Sequence, residues 1–303
     1  MHPVRSLLAY AGVVFLGGGL LAPWLAWGVQ SLVDHLPELR NLANQPFHRY
    51  VNRCLLALAL IGLWPLFREL RVSSARDVGL VKPAGQGRNL ICGFALGFAS
   101  MAGIAMVVLA AGARELNPGV SAGRLVERVL GGALTAAVVA VLEEVLFRGA
   151  IFGALRKTFR WPSAMLISSV VYGLVHFFRQ PPSPAEIDWT SGLALLPSML
   201  SGFIEVERLV PGLFNLTLAG ALLALAYQYT GTLYLSIGLH AGWIFWLKSY
   251  GFLTQETANS WVWFWGTSRL IDGWVALFVL TLLFLLLLQR RPRGTIEHAL
   301  PPP

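Results

Sequence analysis

The sequence predicts an all-α, polytopic transmembrane helical bundle of about eight spans, and three observations predict it. Of 303 residues, 56% are hydrophobic and only 13% are charged, where a soluble domain carries roughly 25% charged residues. A chain this apolar has too little polar surface to cover a water-facing exterior. Second, its apolar residues fall in long runs, and a run in hydrocarbon must satisfy its backbone N–H and C=O groups within itself, which selects helices. Third, the net charge of +8 comes without any block of like charges. That pattern fits loops lying against anionic headgroups and not a nucleic-acid partner. Disorder and a collagen-like repeat are excluded by the same composition.

About 20 residues cross a hydrocarbon core. The apolar runs place spans at 6–29, 54–67, 90–112, 129–155, 161–178, 213–229, 232–247 and 274–288. The first run is longer than the roughly 7–15 residues of a signal-peptide core, so it reads as a retained span. The second is short, bracketed by Arg53 and Arg68, with Pro65 near its end. The last is followed by Gln289-Arg290-Arg291-Pro292-Arg293, a stop signal. The lipid bilayer is therefore the first expected partner. Lys and Arg divide almost evenly between the loops of the two sides; a slight excess predicts both termini in the cytoplasm, with the chain in the cell (inner) membrane. The loop 179–212 is long. Its Pro181-Pro182-Ser183-Pro184 breaks the helix, and 193–204 turns apolar again around Pro197. An interfacial flap, a re-entrant piece near a site and a solvent loop with an apolar patch all fit it. Trp261-Val262-Trp263-Phe264-Trp265 reads as an interfacial anchor. Cys54 and Cys92 lie in apolar stretches and read as packing thiols. There is no internal repeat, and the only low-complexity piece is the prolines at 301–303.

Ionisable residues within spans are costly and default to functional hypotheses. Here they are Glu143, Glu144 and Arg148 on the fourth span, His176 on the fifth and His240 on the seventh. The other histidines, His2, His35, His48 and His298, fall in termini or loops and read as surface residues. Glu143 and His176 are equally far from the turn at 157–160, about 24 Å along their helices. His240 lies about 14 Å past Gly231, so all three groups can share one mid-membrane cavity. Glu144 and Arg148 are four apart on one face and can pair. Glu143 points about 100° away and is free to act as a general base on water. Each feature also has an ordinary reading. Glu-Glu-x-x-x-Arg is equally a helix end whose charges reach to headgroups. His176, and likewise His240 among Ser236, Gly238, Ala241 and Gly242, is equally a polar link between helices, worth about 1 kcal/mol. Gly238 and Gly242 have the spacing of a helix-packing motif.

Taken in order, Glu143-Glu144-Val145-Leu146-Phe147-Arg148-Gly149 resembles the Glu-Glu-x-x-x-Arg motif of the CPBP intramembrane proteases. That family includes the type II CAAX prenyl endopeptidases and the bacteriocin-immunity or abortive-infection-like proteins. Tyr172-Gly173-Leu174-Val175-His176 resembles its second motif, with Tyr172 in place of the usual Phe. Tyr229-Thr230-Gly231-Thr232-Leu233-Tyr234, leading to His240, resembles the third. The resemblance implies a catalytic core at 127–247, preceded by N-terminal transmembrane helices at 1–126. An interfacial aromatic loop, a last helix and a cytoplasmic tail follow at 248–303.

The resemblance further implies peptide-bond hydrolysis within the membrane, acting on a membrane-associated peptide or protein. Prenylated C-terminal tails, peptide bacteriocins and membrane-anchored sorting signals are all allowed. In that scheme Glu143 takes a proton from a water held between it and His176. His240 stabilises the oxyanion, Glu144 and Arg148 hold the helix face, and Tyr172 and Ser236 support the site. The family usually places Asn or Asp four residues after the second His. Here that residue is Ile244, leaving Ser236 or the indole of Trp243 as substitutes. No Gly-x-Ser-x-Gly elbow and no Cys beside a His supports a covalent route. No cofactor is favoured. A divalent metal such as zinc on Glu143, His176 and His240 is the alternative to direct carboxylate activation, although no His-Glu-x-x-His helix is present. The rival class is a non-catalytic membrane protein, an immunity or binding factor or a small transporter, using the same buried groups. Ile244 favours it, while intact Glu143, His176 and His240 favour the enzyme. A transporter of the inverted-repeat type would show paired interrupted spans, and the sequence has none.

Overall fold

The computed structural model describes residues 3–33, 35–179, 182–258 and 260–289, and of Glu207 and Arg208 the backbone alone. In chain order the elements are α1 (Pro3–Leu32), α2 (Arg40–Ala43), α3 (Phe47–Glu69), α4 (Gly87–Ala110), β1 (Arg114–Leu116) and α5 (Ala122–Glu144). Helix α5 runs through a π-helical stretch (Val145–Phe152) into α6 (Gly153–Arg156). Then come α7 (Trp161–Val175), α8 (Ser191–Met199), α9 (Val206–Thr230), α10 (Tyr234–Leu253), β2 (Thr254–Glu256), α11 (Val262–Trp265) and α12 (Trp274–Gln289). Helices α1, α3 and α4, the continuous Ala122–Arg156 and the Leu209–Thr230 part of α9 are long and apolar enough to cross a membrane. Trp161–Val175, Ser191–Phe203 and Trp274–Gln289 are apolar but shorter. The chain is an all-α membrane helical bundle, an integral membrane protein.

Each predicted run falls on a helix, but the extents differ: α5 begins at Ala122, α9 at Val206, and α10 runs on to Leu253, and the second and fifth runs differ as well. The second is a full 23-residue helix that starts at Phe47, with Pro46 as N-cap and Pro65 inside. Both flanking cations lie within it, Arg53 over Tyr50 at 5.9 Å and Arg68, in the last turn, over Trp64 at 3.9 Å. The fifth stops at Val175, short of the expected 178. His35 is exposed, whereas His48 sits half-buried in the first turn of α3. Pro181, the side chain of Glu207, His2, His298, the stop signal at 290–293 and the terminal prolines lie outside the described residues.

The chain forms two compact units. The first comprises Met1–Ser73 and Phe177–Glu205. Its core joins Ala22 and Ala26 of α1, Tyr50, Val51 and Cys54 of α3, and Leu195 of α8. Both cysteines are free, Cys54 buried and Cys92 exposed. The apolar 193–204 stretch belongs here. Helix α8 seats on α1 so closely that a Cβ at Gly192 would overlap the Gly19 carbonyl oxygen. Its exit is held by an Arg179–Glu205 ion pair and by the Arg179 N–H donating to the Met199 carbonyl at 2.9 Å. Ahead of α8, Asp188 accepts from the Thr190 hydroxyl and N–H and from the Ser191 hydroxyl, which holds its carboxyl below the usual range.

The second unit comprises Ser74–His176 and Val206–Pro303. Its core joins Met101, Ile104 and Val108 of α4, Leu222 and Leu223 of α9, Leu239 and Trp243 of α10, and Leu280 of α12. Helix α10 is central, flanked by α4, α5 and α9. It meets α4 backbone to backbone. A Cβ at Gly93 would overlap the Leu235 carbonyl, one at Gly97 the Leu239 carbonyl, and one at Gly238 the Leu90 carbonyl; at Gly242 it would come within 2.6 Å of the Phe98 nitrogen. Small residues at four-residue spacing permit this approach. A short antiparallel ribbon pairs Arg114 with Glu256 and Leu116 with Thr254. The buried Arg114 side chain donates to the Thr254 hydroxyl at 2.9 Å. Around α11, Trp261 stacks on Phe264 with centroids 5.7 Å apart, and Trp263 meets Trp274 edge-on at 5.5 Å. The compact units are a division by packing, whereas boundaries at 126 and 247 are a division by motif; the two describe different things.

The glycine crossing makes a testable claim. Gly97→Ala inserts a methyl into the Leu239 backbone, and overpacking of this kind costs about 1–3 kcal/mol. Gly103, on the same helix, has nothing within 4 Å of its would-be Cβ. Thermal melting in detergent should therefore fall by several degrees for Gly97→Ala and stay level or rise for Gly103→Ala. Equal melting of the two variants would refute the backbone contact.

Candidate active site

The site is built within the second unit, beginning on α5. Glu143 and Glu144 are the last α-helical residues before the π-helical stretch, and Arg148 lies inside it. π-Helical turns inside α-helices are frequent at functional sites. Glu144 and Arg148 are fully buried and form an ion pair, Arg148 Nη1 to Glu144 Oε1 at 3.1 Å. Arg148 Nη2 donates to the Gly220 carbonyl of α9 at 3.1 Å. The guanidinium also lies 4.6 Å from the centroid of the Tyr172 ring. A buried charge needs pairing and hydrogen bonds; Arg148 has the Glu144 pair and the Gly220 bond through Nη2, while its Nη1 and Glu144 Oε2 are buried without a hydrogen-bond partner among the described residues.

Helix α7 supplies His176 through the way it ends. Its last residue is Val175, and the His176 N–H bonds to the Gly173 carbonyl. That leaves the Tyr172 carbonyl, one of the orphan acceptors of a helix C-terminus. His176 satisfies it with its own ring: Nδ1 lies 2.7 Å from the Tyr172 oxygen. Since a carbonyl only accepts, Nδ1 carries the proton, and Nε2 is left facing the site. The early end of α7 is thus the physical reason that His176 points where it does. Gly173 lets α7 approach α9, for a Cβ there would come within 2.8 Å of the Thr217 hydroxyl.

Helix α10 supplies His240, which is buried. Its Nδ1 lies 2.9 Å from Glu144 Oε1, so one carboxylate oxygen holds both the imidazole and the guanidinium. Its Nε2 lies 3.3 Å from the Tyr172 hydroxyl. Glu143 turns Oε2 to both rings: 3.7 Å from His240 Nε2 and 3.9 Å from His176 Nε2. That oxygen is buried without a hydrogen-bond partner among the described residues. The side chains of Glu143 and His176 are 29% and 31% exposed, against 0% for Glu144 and 5% for His240. Glu143 and His176 are therefore the more exposed side chains of the site, although Glu143 Oε2 itself is buried, and Glu144, Arg148 and His240 lie behind them.

A divalent ion on Glu143, His176 and His240 fits this arrangement poorly. Both Nε2 atoms do face one carboxylate oxygen. But the Tyr172 hydroxyl stands within hydrogen-bond distance of His240 Nε2, on the lone pair that a metal would take. Among the described residues no three His, Cys, Asp or Glu side chains form a ready ligand set. No step below passes through a metal.

The structure brings Glu143, Glu144, Arg148, Tyr172, His176 and His240 together. It does not bring Ser236 in: its hydroxyl donates to the Leu233 carbonyl of its own helix at 2.9 Å. Neither does Trp243 serve as the substitute donor, because its indole N–H donates to Ser100 Oγ at 2.9 Å. Ile244 is buried and offers no polar atom. Sequence reasoning gave Glu144 only Arg148 as partner and missed its bond to His240. It also missed the two backbone carbonyls, of Tyr172 and Gly220, that orient His176 and Arg148. An interaction between residues 96 positions apart leaves no local spacing signal.

Comparison with known proteins gives one match. No curated protein and no solved structure matches the chain. Residues 126–246, which hold every side chain of the site just described, match the family "Type II CAAX prenyl endopeptidase Rce1-like", so this stretch is an Rce1-like type II CAAX prenyl endopeptidase domain carried in an integral membrane protein.

Proposed function

We propose that this protein is an intramembrane endopeptidase that hydrolyses a peptide bond of a membrane-associated substrate, with water activated between Glu143 and His176. The observation that carries the reading is the convergence of Glu143 Oε2 and the two imidazole Nε2 atoms at 3.7 and 3.9 Å, inside the Rce1-like domain. The domain's family name supports a C-terminal, prenylated tail as substrate. The slight Lys/Arg bias supports a cell-membrane location with both termini cytoplasmic.

The chemistry follows from the proton positions. With Nδ1–H given to the Tyr172 carbonyl, neutral His176 offers a lone pair at Nε2. A water between the two acceptors donates one hydrogen to Glu143 and the other to His176, and its own lone pair is aimed at the scissile carbonyl. Glu143 takes the proton as the C–O bond forms and the carbonyl electrons move onto oxygen. It then returns the proton to the leaving nitrogen as the C–N bond breaks, giving a carboxylic acid and an amine. A single positioned general base contributes about 10²–10⁴-fold.

The oxyanion needs donors, and the resemblance leaves Ile244 where a polar residue is usual. Tyr172 compensates. Its hydroxyl, absent from the usual Phe, lies against His240 Nε2. With Nδ1–H given to Glu144, neutral His240 accepts the Tyr172 O–H at Nε2, so the phenol serves an oxyanion by turning that one proton from His240 to the new oxygen.

Purified full-length protein in proteoliposomes, presented with membrane-anchored peptides and read by mass spectrometry, tests the base. Glu143→Gln and His176→Ala should each lower kcat by about 100-fold or more, and chelator should leave the wild type unaffected. Equal cleavage by wild type and both variants would remove the site, and no cleavage of any anchored peptide by the wild type would favour the binding or transport class. Chelator inhibition reversed by zinc would restore the metal reading.

The hydroxyl has its own test. Tyr172→Phe should lower kcat by about 10²-fold or more with KM little changed, the usual cost of one oxyanion donor. Adding Ile244→Asn to that variant should recover part of the loss. Wild-type kcat in Tyr172→Phe would show that the phenol is not the donor.

A further inference from the structure

We propose that a groove between α5 and α10, remote from the catalytic groups, binds the phosphate of an anionic phospholipid headgroup. The groove has a volume of about 450 Å³, and its lining includes Arg124, Glu127, Arg128 and Gly132 of α5 with Lys248 and Phe252 of α10. Arg128 lies 15 residues before Glu143, about 22 Å along the helix, so the groove is separate from the site above. It does not depend on the proteolytic reading.

Four features point to this ligand. Three cations from two helices face one acid, and among the described residues neither Arg124 nor Lys248 belongs to an ion pair. Second, the walls are tied together: Arg128 Nε–H donates to the Lys248 carbonyl at 2.7 Å. That bond leaves the other guanidinium N–H groups of Arg128 for a ligand. At Gly131 nothing lies within 4 Å of a would-be Cβ, which leaves a tetrahedral anion room against the helix, while Gly132 packs against Ser249 and Lys248. Third, the site is amphipathic. Phe252 lines it, with the Arg128 guanidinium 5.9 Å from its ring centroid, and the same turns of α5 expose Val126, Leu130 and Leu134. Fourth, Phe252 leads through β2 into the stacked Trp261 and Phe264, the aromatic signature of a membrane–water boundary. Basic pockets between transmembrane helices at that level suit phospholipid headgroups. A soluble anion would need the cations but not the apolar wall.

Native mass spectrometry of the full chain released from micelles tests this. The probes are phosphatidylglycerol, phosphatidylcholine of the same acyl chains, and inorganic phosphate. Wild type should retain phosphatidylglycerol about tenfold over phosphatidylcholine. Arg124→Gln with Lys248→Gln should lower that retention about tenfold, as expected for removing two headgroup cations. Arg160→Gln, at the other end of the unit, should leave it unchanged. Circular dichroism reports folding of the double variant, and single Lys248→Gln at an exposed position should give an intermediate loss. Equal retention of the two lipids by wild type, or undiminished phosphatidylglycerol on the folded variants, overturns the proposal. Displacement of the lipid by an equal concentration of inorganic phosphate overturns the lipid and assigns the groove to the free ion.

Discussion

One carboxylate oxygen organises the second unit. Glu144 Oε1 receives the Arg148 guanidinium at 3.1 Å and the His240 imidazole at 2.9 Å, and all three residues are buried. Burying a carboxylate costs several kcal/mol even after the protein relaxes, so Glu144 is affordable only with both partners in place. Removing one partner of such a set is typically destabilising by about 3–5 kcal/mol. The consequence is orientational. With Nδ1 fixed on Glu144, the His240 ring has one remaining nitrogen, and that nitrogen faces Tyr172 and Glu143. The buried carboxylate does no proton transfer in this scheme; it sets where the other groups point.

That arrangement depends on an apolar one. His240 reaches Glu144 because α10 sits deep in the bundle, and α10 sits deep because Gly93 and Gly97 of α4, and Gly238 and Gly242 of α10, each lie directly against the backbone of the other helix. Between transmembrane helices little hydrophobic driving force exists, so close van der Waals contact and interhelical hydrogen bonds do the holding. The glycine seam gives the first, and the His240–Glu144 and Trp243–Ser100 bonds give the second. Both run along the same helix. A change that widened the α4–α10 seam would therefore loosen the imidazole without touching it.

Much of this was readable beforehand, for identifiable reasons. Apolar runs fix helices because lipid permits little else, so the bundle follows from composition. Glu144 and Arg148 are readable because helical periodicity puts positions four apart on one face. Gly238 and Gly242 are readable as a packing motif, although their partner glycines on α4 are not. Periodicity fails at helix ends. Nothing in the apolar 161–178 run marks the stop at Val175, yet that stop is what turns the His176 ring onto the Tyr172 carbonyl. It also fails for substitutes chosen by sequence proximity. Ser236 lies one turn from His240, but a serine inside a helix readily bonds a carbonyl of its own preceding turn, and Ser236 does so. Tyr172 lies far from His240 in sequence and carries the hydroxyl that arrives.

The same two helices carry both ends of the unit's polar chemistry, which constrains how either end can change. Helices α5 and α10 meet at Glu144 and His240 in the interior and again where Arg128 donates to the Lys248 carbonyl. Two hydrogen-bonded ties on one helix pair fix its crossing more firmly than either alone, since rotation about the first contact would break the second. Cations near a lipid phosphate would add a third restraint that depends on the surrounding membrane. Position along α5 then separates the tasks. In the proposed reading the partly exposed Glu143 and His176 face the substrate, the buried Glu144, Arg148 and His240 position them, and the basic turns at the other end meet a lipid headgroup. Because the carboxylate that holds the imidazole and the basic groove lie on one continuous helix, a shift of α5 along its axis would register at both. A rigid, doubly tied α5–α10 pair is what keeps Glu143 Oε2 within reach of two rings at once.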